Sequence, residues 1–206
     1  MNRNKFINNS KEGIINEFFY LDVSKPFSTT DNVSILWIDL TYTGGPFKGE
    51  ATACSGRKNN NIIFILGGYS DNKSFINQFD TSIQQWVNIE SGSLINAANA
   101  PSQQFGYCAI TLPDENILYI GSANFNDLSN ASSYNPMDIL PLYNTKSHMW
   151  TNTSISGQIP PIRTFFSAIL TPDRRIIIFG SLNNGNILGD LWILDTFVFQ
   201  WSIGRI

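Results

Sequence analysis

Three times in this chain of 206 residues an apolar run stops at a glycine, and each time a small residue stands thirteen positions before that glycine. The runs are Ile62 to Leu66, Ile117 to Ile120 and Ile176 to Phe179. Their glycines are Gly67, Gly121 and Gly180, and the small residues are Cys54, Cys108 and Ser167. Spacing kept this closely marks an array of one supersecondary unit, which cannot bury its apolar face alone and must stack on its neighbours. The apolar runs do not alternate, as expected for strands covered on both faces. Each glycine supplies the positive φ a turn needs at no steric cost, and Gly68 doubles the first of them.

A second signature closes each unit. Asp80-Thr81, Asn144-Thr145 and Asp195-Thr196 each precede a tryptophan, so that Trp86, Trp150 and Trp201 stand six residues after the Asp or Asn. An Asp or Asn side chain can bond the backbone two residues on and so start a turn. The tryptophan then offers a large apolar body for packing on a neighbouring sheet. Pro113-Asp114-Glu115-Asn116 and Pro172-Asp173-Arg174-Arg175 are matching hairpins, each proline eight residues before its glycine. Four strands in about 40 residues is the size of one propeller blade.

These features mark out three full units, at about 50–89, 104–153 and 163–203, and half a unit at 14–38. The half unit is built from Phe18 to Asp22 and Ile35 to Trp37. Residues 1–13 read as an irregular polar N-terminus. An apolar run ending in Gly-Gly, a hydrophobic strand ending in Asp and a Trp six residues later resemble kelch repeats. The phrases Tyr20-Leu21-Asp22 with Lys25-Pro26-Phe27, and Ala51-Thr52-Ala53-Cys54, are similar to ones that recur in kelch-repeat proteins of fungi. The likeness runs over 14–206 and implies an all-β fold, an incomplete kelch-type β-propeller of about three and a half four-stranded antiparallel blades. Departures from the pattern are Ser122 and Ser181 in place of the second glycine, and Gln104 and Glu50 where the third unit has Arg163. A stack that does not close leaves free sheet faces and edges, which invite self-association.

Composition narrows the function. Hydrophobic residues make up 42% of the chain and aromatics 13%, enough for a core. Net charge is −3 and the basic residues are scattered, so the electrostatic footprint of a nucleic-acid binder is missing. No stretch reaches the ~20 apolar residues of a membrane span. As it stands the sequence reads as cytoplasmic, and as secretory if a signal segment precedes it. Asn8, Asn32, Asn130 and Asn152 each open a glycosylation triplet that matters only in a secretory compartment. Cys54 and Cys108, at equivalent positions, are expected as buried reduced thiols too far apart to bridge.

Chemistry is expected to be absent. Kelch-type propellers similar to galactose oxidase need two histidines, and this chain has one, His148, in the link between Asn144 and Trp150. A single imidazole cannot build a copper site, and two repeat-equivalent cysteines do not make a zinc cluster. No nucleophile elbow or phosphate loop is present, and the aspartates fall at turn positions. The expectation is a non-enzymatic interaction module without cofactor or metal, a fragment of a larger propeller, with a protein or a glycan as its partner; the alternatives are a degenerate relative of a propeller enzyme, oxidase or glycan-acting, that lacks its active site, and a nonfunctional truncated fragment. Two long connections are candidate binding loops: 90–104, and 122–136, where Phe125, Asn126 and Tyr134 combine aromatic anchors with adaptable polar groups.

Overall fold

The computed structural model describes residues 17–24, 26–28, 30, 35–56, 61–68, 75–87, 99–101, 104–124 and 134–205. The protein is all-β. Among the described residues there is no α-helix, and a 3-10 turn stands at Thr41–Thr43.

A two-stranded ribbon comes first, β1 (Phe19–Leu21) with β2 (Trp37–Asp39). The first full sheet is a meander of β3 (Thr52–Gly56), β4 (Ile62–Leu66), β5 (Ile76–Asp80) and β6 (Gln85–Val87). In the second unit a short pair, β7 (Gln104–Phe105) and β10 (Ala123–Asn124), stands beside the meander of β8 (Cys108–Thr111), β9 (Ile117–Ile120), β11 (Ile139–Asn144) and β12 (Met149–Ser154). The third sheet has β14 (Ser167–Leu170), β15 (Arg175–Asn183), β16 (Asn186–Asp195) and β17 (Gln200–Ile203). A fifth strand, β13 (Ser156–Gly157), lies parallel to β17.

The apolar pattern would carry one strand from Phe105 to Ile110 and another from Phe165 to Leu170, and the backbone breaks both. Gly106, with φ of 68°, turns the chain between β7 and β8, and Phe165, with φ 54°, makes the same break before β14. In the third unit the strands run past Gly180 to a two-residue turn at Asn184-Gly185, with φ of 46° and 81°. Positive φ at both central positions matches the twist of the flanking strands.

Each sheet has a tryptophan face and a reverse face, because neighbours along a strand point to opposite sides. Trp86 pairs across the ladder with Phe79, Trp150 with Tyr143 and Trp201 with Leu194. The tryptophans pack backwards, on the sheet before and not the sheet after. Trp86 meets Phe18 at a ring separation of 5.2 Å, Trp150 meets Phe75 at 5.5 Å, and the Trp201 indole donates to Met137 O at 2.8 Å.

Two cores result. One joins the reverse face of the first sheet (Ile62, Phe64, Leu66, Ile76) to the tryptophan face of the second (Ile117, Tyr119, Tyr143, Trp150). The other joins Leu118, Ile120 and Leu140 to Ile176, Ile178, Leu194 and Trp201. The second sheet is thus covered on both sides, and all of β9 is buried. The first strands come together: β3 and β14 both lie against β8, joined by Thr111 Oγ1 donating to Ser55 O and Cys108 Sγ donating to Phe166 O at 3.3 Å.

Candidate functional site

The Asp-Thr signature fixes one end of the stack. Asp80, Asn144 and Asp195 accept from the backbone N–H of Ser82, Lys146 and Phe197 at 2.9, 3.0 and 2.8 Å, the turn expected from side chains of this kind. The threonine does work that the sequence reading passed over. Thr81, Thr145 and Thr196 donate their hydroxyls to Asn61 O, Glu115 O and Arg174 O at 3.0, 2.9 and 2.7 Å. Each unit thereby ties its last turn to its first, and the loops at this end are held as a rigid set.

Between two of these sets lies an open groove of about 270 Å³. The second unit contributes Leu112, Pro113 and Asp114, and the third contributes Arg174, Thr196, Phe197 and Phe199. Phe197 is 77% exposed and Val198 beside it is also exposed. Phe199 and Arg174 hold φ of 50° and 63°, a conformation uncommon outside glycine, Asn and Asp. Asp114 is held in its hairpin by Asn116, which donates through its backbone N–H and its side chain at 3.1 and 2.8 Å. The groove therefore offers apolar aromatic surface with one acidic and one basic group on opposite banks.

The other end carries the glycines. Gly67, Gly121 and Gly180 have φ of 52°, 68° and 67°, as the sequence requires of them, and Gly68 has φ of 75°. Beside them, one repeat position holds three chemistries. Glu50 is exposed. Gln104 is buried and exchanges amide hydrogen bonds with Asn135 at 3.0 and 2.8 Å while accepting from Ser122 Oγ at 2.6 Å. Arg163, fully buried, donates from both terminal guanidinium nitrogens to Asp190 at 2.9 and 3.0 Å and from Nε to Pro161 O at 3.1 Å. Hydrogen bonds from Arg163 hold the Asp190 carboxyl below the usual carboxylate range, helped by the Trp192 indole N–H at 2.6 Å.

Of the residues expected to bind a partner, Phe125 and Asn126 lie outside the described residues, as does most of 90–104. Tyr134 is buried with Phe105 and Ala123, and its hydroxyl accepts from the backbone N–H of Asn184 at 3.1 Å. Its ring is therefore core. His148 is exposed in its turn, its Nδ1 2.6 Å from the Tyr143 hydroxyl. Cys54 and Cys108 are free, and burial pushes both thiols up to about 11, which leaves them protonated and unreactive at neutral pH. Among the described residues no three His, Cys, Asp or Glu side chains converge as a metal group, and no helix is long and apolar enough to cross a membrane. No protein-family model matches this chain, and no curated protein matches it.

Proposed function

We propose that this chain is a kelch-type propeller segment that serves as a non-enzymatic protein-interaction module, taking an extended peptide in the groove between the turns of the second and third units. The propeller reading is supported by the face-to-face stacking of four-stranded meanders whose first strands converge. The observation that carries the function is the groove itself: Phe197 stands exposed on a turn that Asp195 and Thr196 hold from below. Recognition residues on loops fixed by a rigid scaffold follow this plan. Aromatic surface flanked by Asp114 and Arg174 suits a peptide that brings an apolar side chain and charges of both signs. Four of the described aspartates are engaged in structure: Asp80 and Asp195 in turns, Asp190 with Arg163, Asp173 with Thr171 and Arg175.

The test is a peptide-display selection on the purified chain, with the selected peptides measured by calorimetry. Phe197→Ala with Arg174→Ala is expected to weaken them at least about tenfold, a loss of about 1.4 kcal/mol, with the melting temperature unchanged. Peptides that ignore both substitutions, or turnover of a substrate that needs one of the named carboxylates, would sink the reading.

A further inference from the structure

The repeat gives each exposed position a counterpart whose environment is known. On the reverse face, Phe64 of the first sheet, Leu118 of the second and Ile177 of the third stand three residues before their glycines, and Leu66, Ile120 and Phe179 stand one before. In the first two sheets all four of these residues are completely buried, because the tryptophan face of the following sheet covers them. In the third sheet Phe179 is 51% exposed. Ile169, in register with Ile177 and through it with Ile193, is 63% exposed. The third sheet thus presents a surface with the chemistry of an interface and nothing upon it among the described residues. Contiguous exposed apolar surface of this kind marks an interaction site.

The matching surface is at the other end of the same molecule. In the β1–β2 ribbon, Trp37 lies opposite Leu21, the residue before Asp22. That is the register of Trp86, Trp150 and Trp201, so Trp37 is the closing tryptophan of the half unit. The Asx turn is present as well, with Ser24 N donating to Asp22 at 2.9 Å. Trp37 stacks edge-on with Phe19 at 5.2 Å, and the two rings are 56% and 51% exposed. The opposite side of the ribbon, Phe18 with Leu40, is the side that packs toward the first sheet: Phe18 meets Phe79 and Trp86, and Leu40 is buried. Among the described residues nothing covers the ribbon's tryptophan face.

We infer that a second copy of this chain is the occupant of both faces: the Trp37 face of one molecule packs on the Phe179 face of the next, repeating between molecules the contact that joins sheets within one. The two surfaces differ, so the contact is heterologous and builds either a closed ring or an open series. The inference goes beyond the groove and holds whether or not the groove takes a peptide.

Sedimentation velocity on the 206-residue chain, from micromolar to millimolar, is expected to show mass rising with concentration. A tail variant, Ile169→Glu with Phe179→Glu, and a head variant, Phe19→Glu with Trp37→Glu, are each expected to be monomeric. Their equimolar mixture has one intact contact and should give a one-to-one dimer and nothing larger. A monomeric parent, a variant that still assembles by itself, or a mixture that stays monomeric overturns the inference. Thermal melts check that each variant is folded, and Phe179→Ser with Ile169→Ser replaces the glutamate pair if that pair melts early.

Discussion

The second and third sheets share the order of their four meander strands, the register of the closing tryptophan and the turn that follows Asn144 or Asp195, and they differ in what lies beyond them. Ile120 is sealed by Phe166 and its neighbours, while Phe179 at the same position faces outward. The glycines record the same difference. A Cβ on Gly121 would stand 2.6 Å from the Phe166 ring and 2.7 Å from Arg163 O, whereas one on Gly180 would meet only Leu188 O at 3.8 Å. Burial in this protein is a property of the pair of sheets and not of the unit, as expected where stability comes from nearest-neighbour contacts.

Tryptophan truncation should break this comparison most visibly. Trp201→Ala, at 1% exposure and with its indole bonded to Met137 O, is expected to cost about 3–5 kcal/mol. Trp37→Ala at the same register is expected to cost less than about 1 kcal/mol in the monomer, as for surface changes. Chemical denaturation of the two variants measures both, and equal losses would refute the dependence on a covering sheet.

The polar slot comes next. Asp190→Ala strands a fully buried guanidinium and is expected to cost about 3 kcal/mol. Gln104→Ala in the second unit removes neutral hydrogen bonds and should cost about 1–2 kcal/mol. The ion pair also has a pH signature. The folded Asp190 carboxyl titrates below the ordinary value of 3.8, so its contribution is complete above about pH 5 and is lost as the pH falls through the folded value. The stability gap between the parent and Asp190→Asn should therefore shrink in acid, and a gap constant from neutral pH to about pH 3 would contradict the linkage.

Alanine at the glycines gives the smallest difference. Gly180→Ala should cost about 1–2 kcal/mol for the left-handed conformation alone, and Gly121→Ala more, because the second sheet has no room to give. Equal melting shifts would mean that the space beyond Gly180 is filled.

What could be read from the chain was whatever a residue type makes obligatory. Glycine marked the positive-φ positions at Gly67, Gly121 and Gly180, the last of them a bulge within β15 and not a turn, and the pairing of Asp or Asn with Trp marked the last hairpin of each unit. Left-handed backbone at Gln84, His148, Phe199, Glu115 and Arg174 was illegible, since no residue type announces it. Trp37 is legible as a strand residue but not as a closing tryptophan, because the segment between Asp22 and Leu36 stands where the other units have four residues and destroys the six-residue spacing; only ladder register reveals it. Composition placed Tyr134 among binding residues, because an aromatic in a polar segment reads the same whether it points out or in. The groove was invisible for a related reason: its banks come from two units, and neither is unusual alone.

The short strand β13 has a consequence for how the molecule opens. It belongs to the connection leaving the second sheet, yet it runs parallel to β17, with Ser156 N donating to Phe199 O at 2.9 Å and Gln158 N to Trp201 O at 3.1 Å. The last strand of one unit is thereby clasped by backbone that belongs to its predecessor. Amide hydrogens at Ser156 and Gln158 are released to solvent when this exposed two-residue strand leaves β17, so their exchange with deuterium reads the opening of the clasp itself, on a faster clock than the shared core. The clasp ties the two repeats together through backbone as well as through side chains, and a protease that cuts the connection has only this short strand to lift.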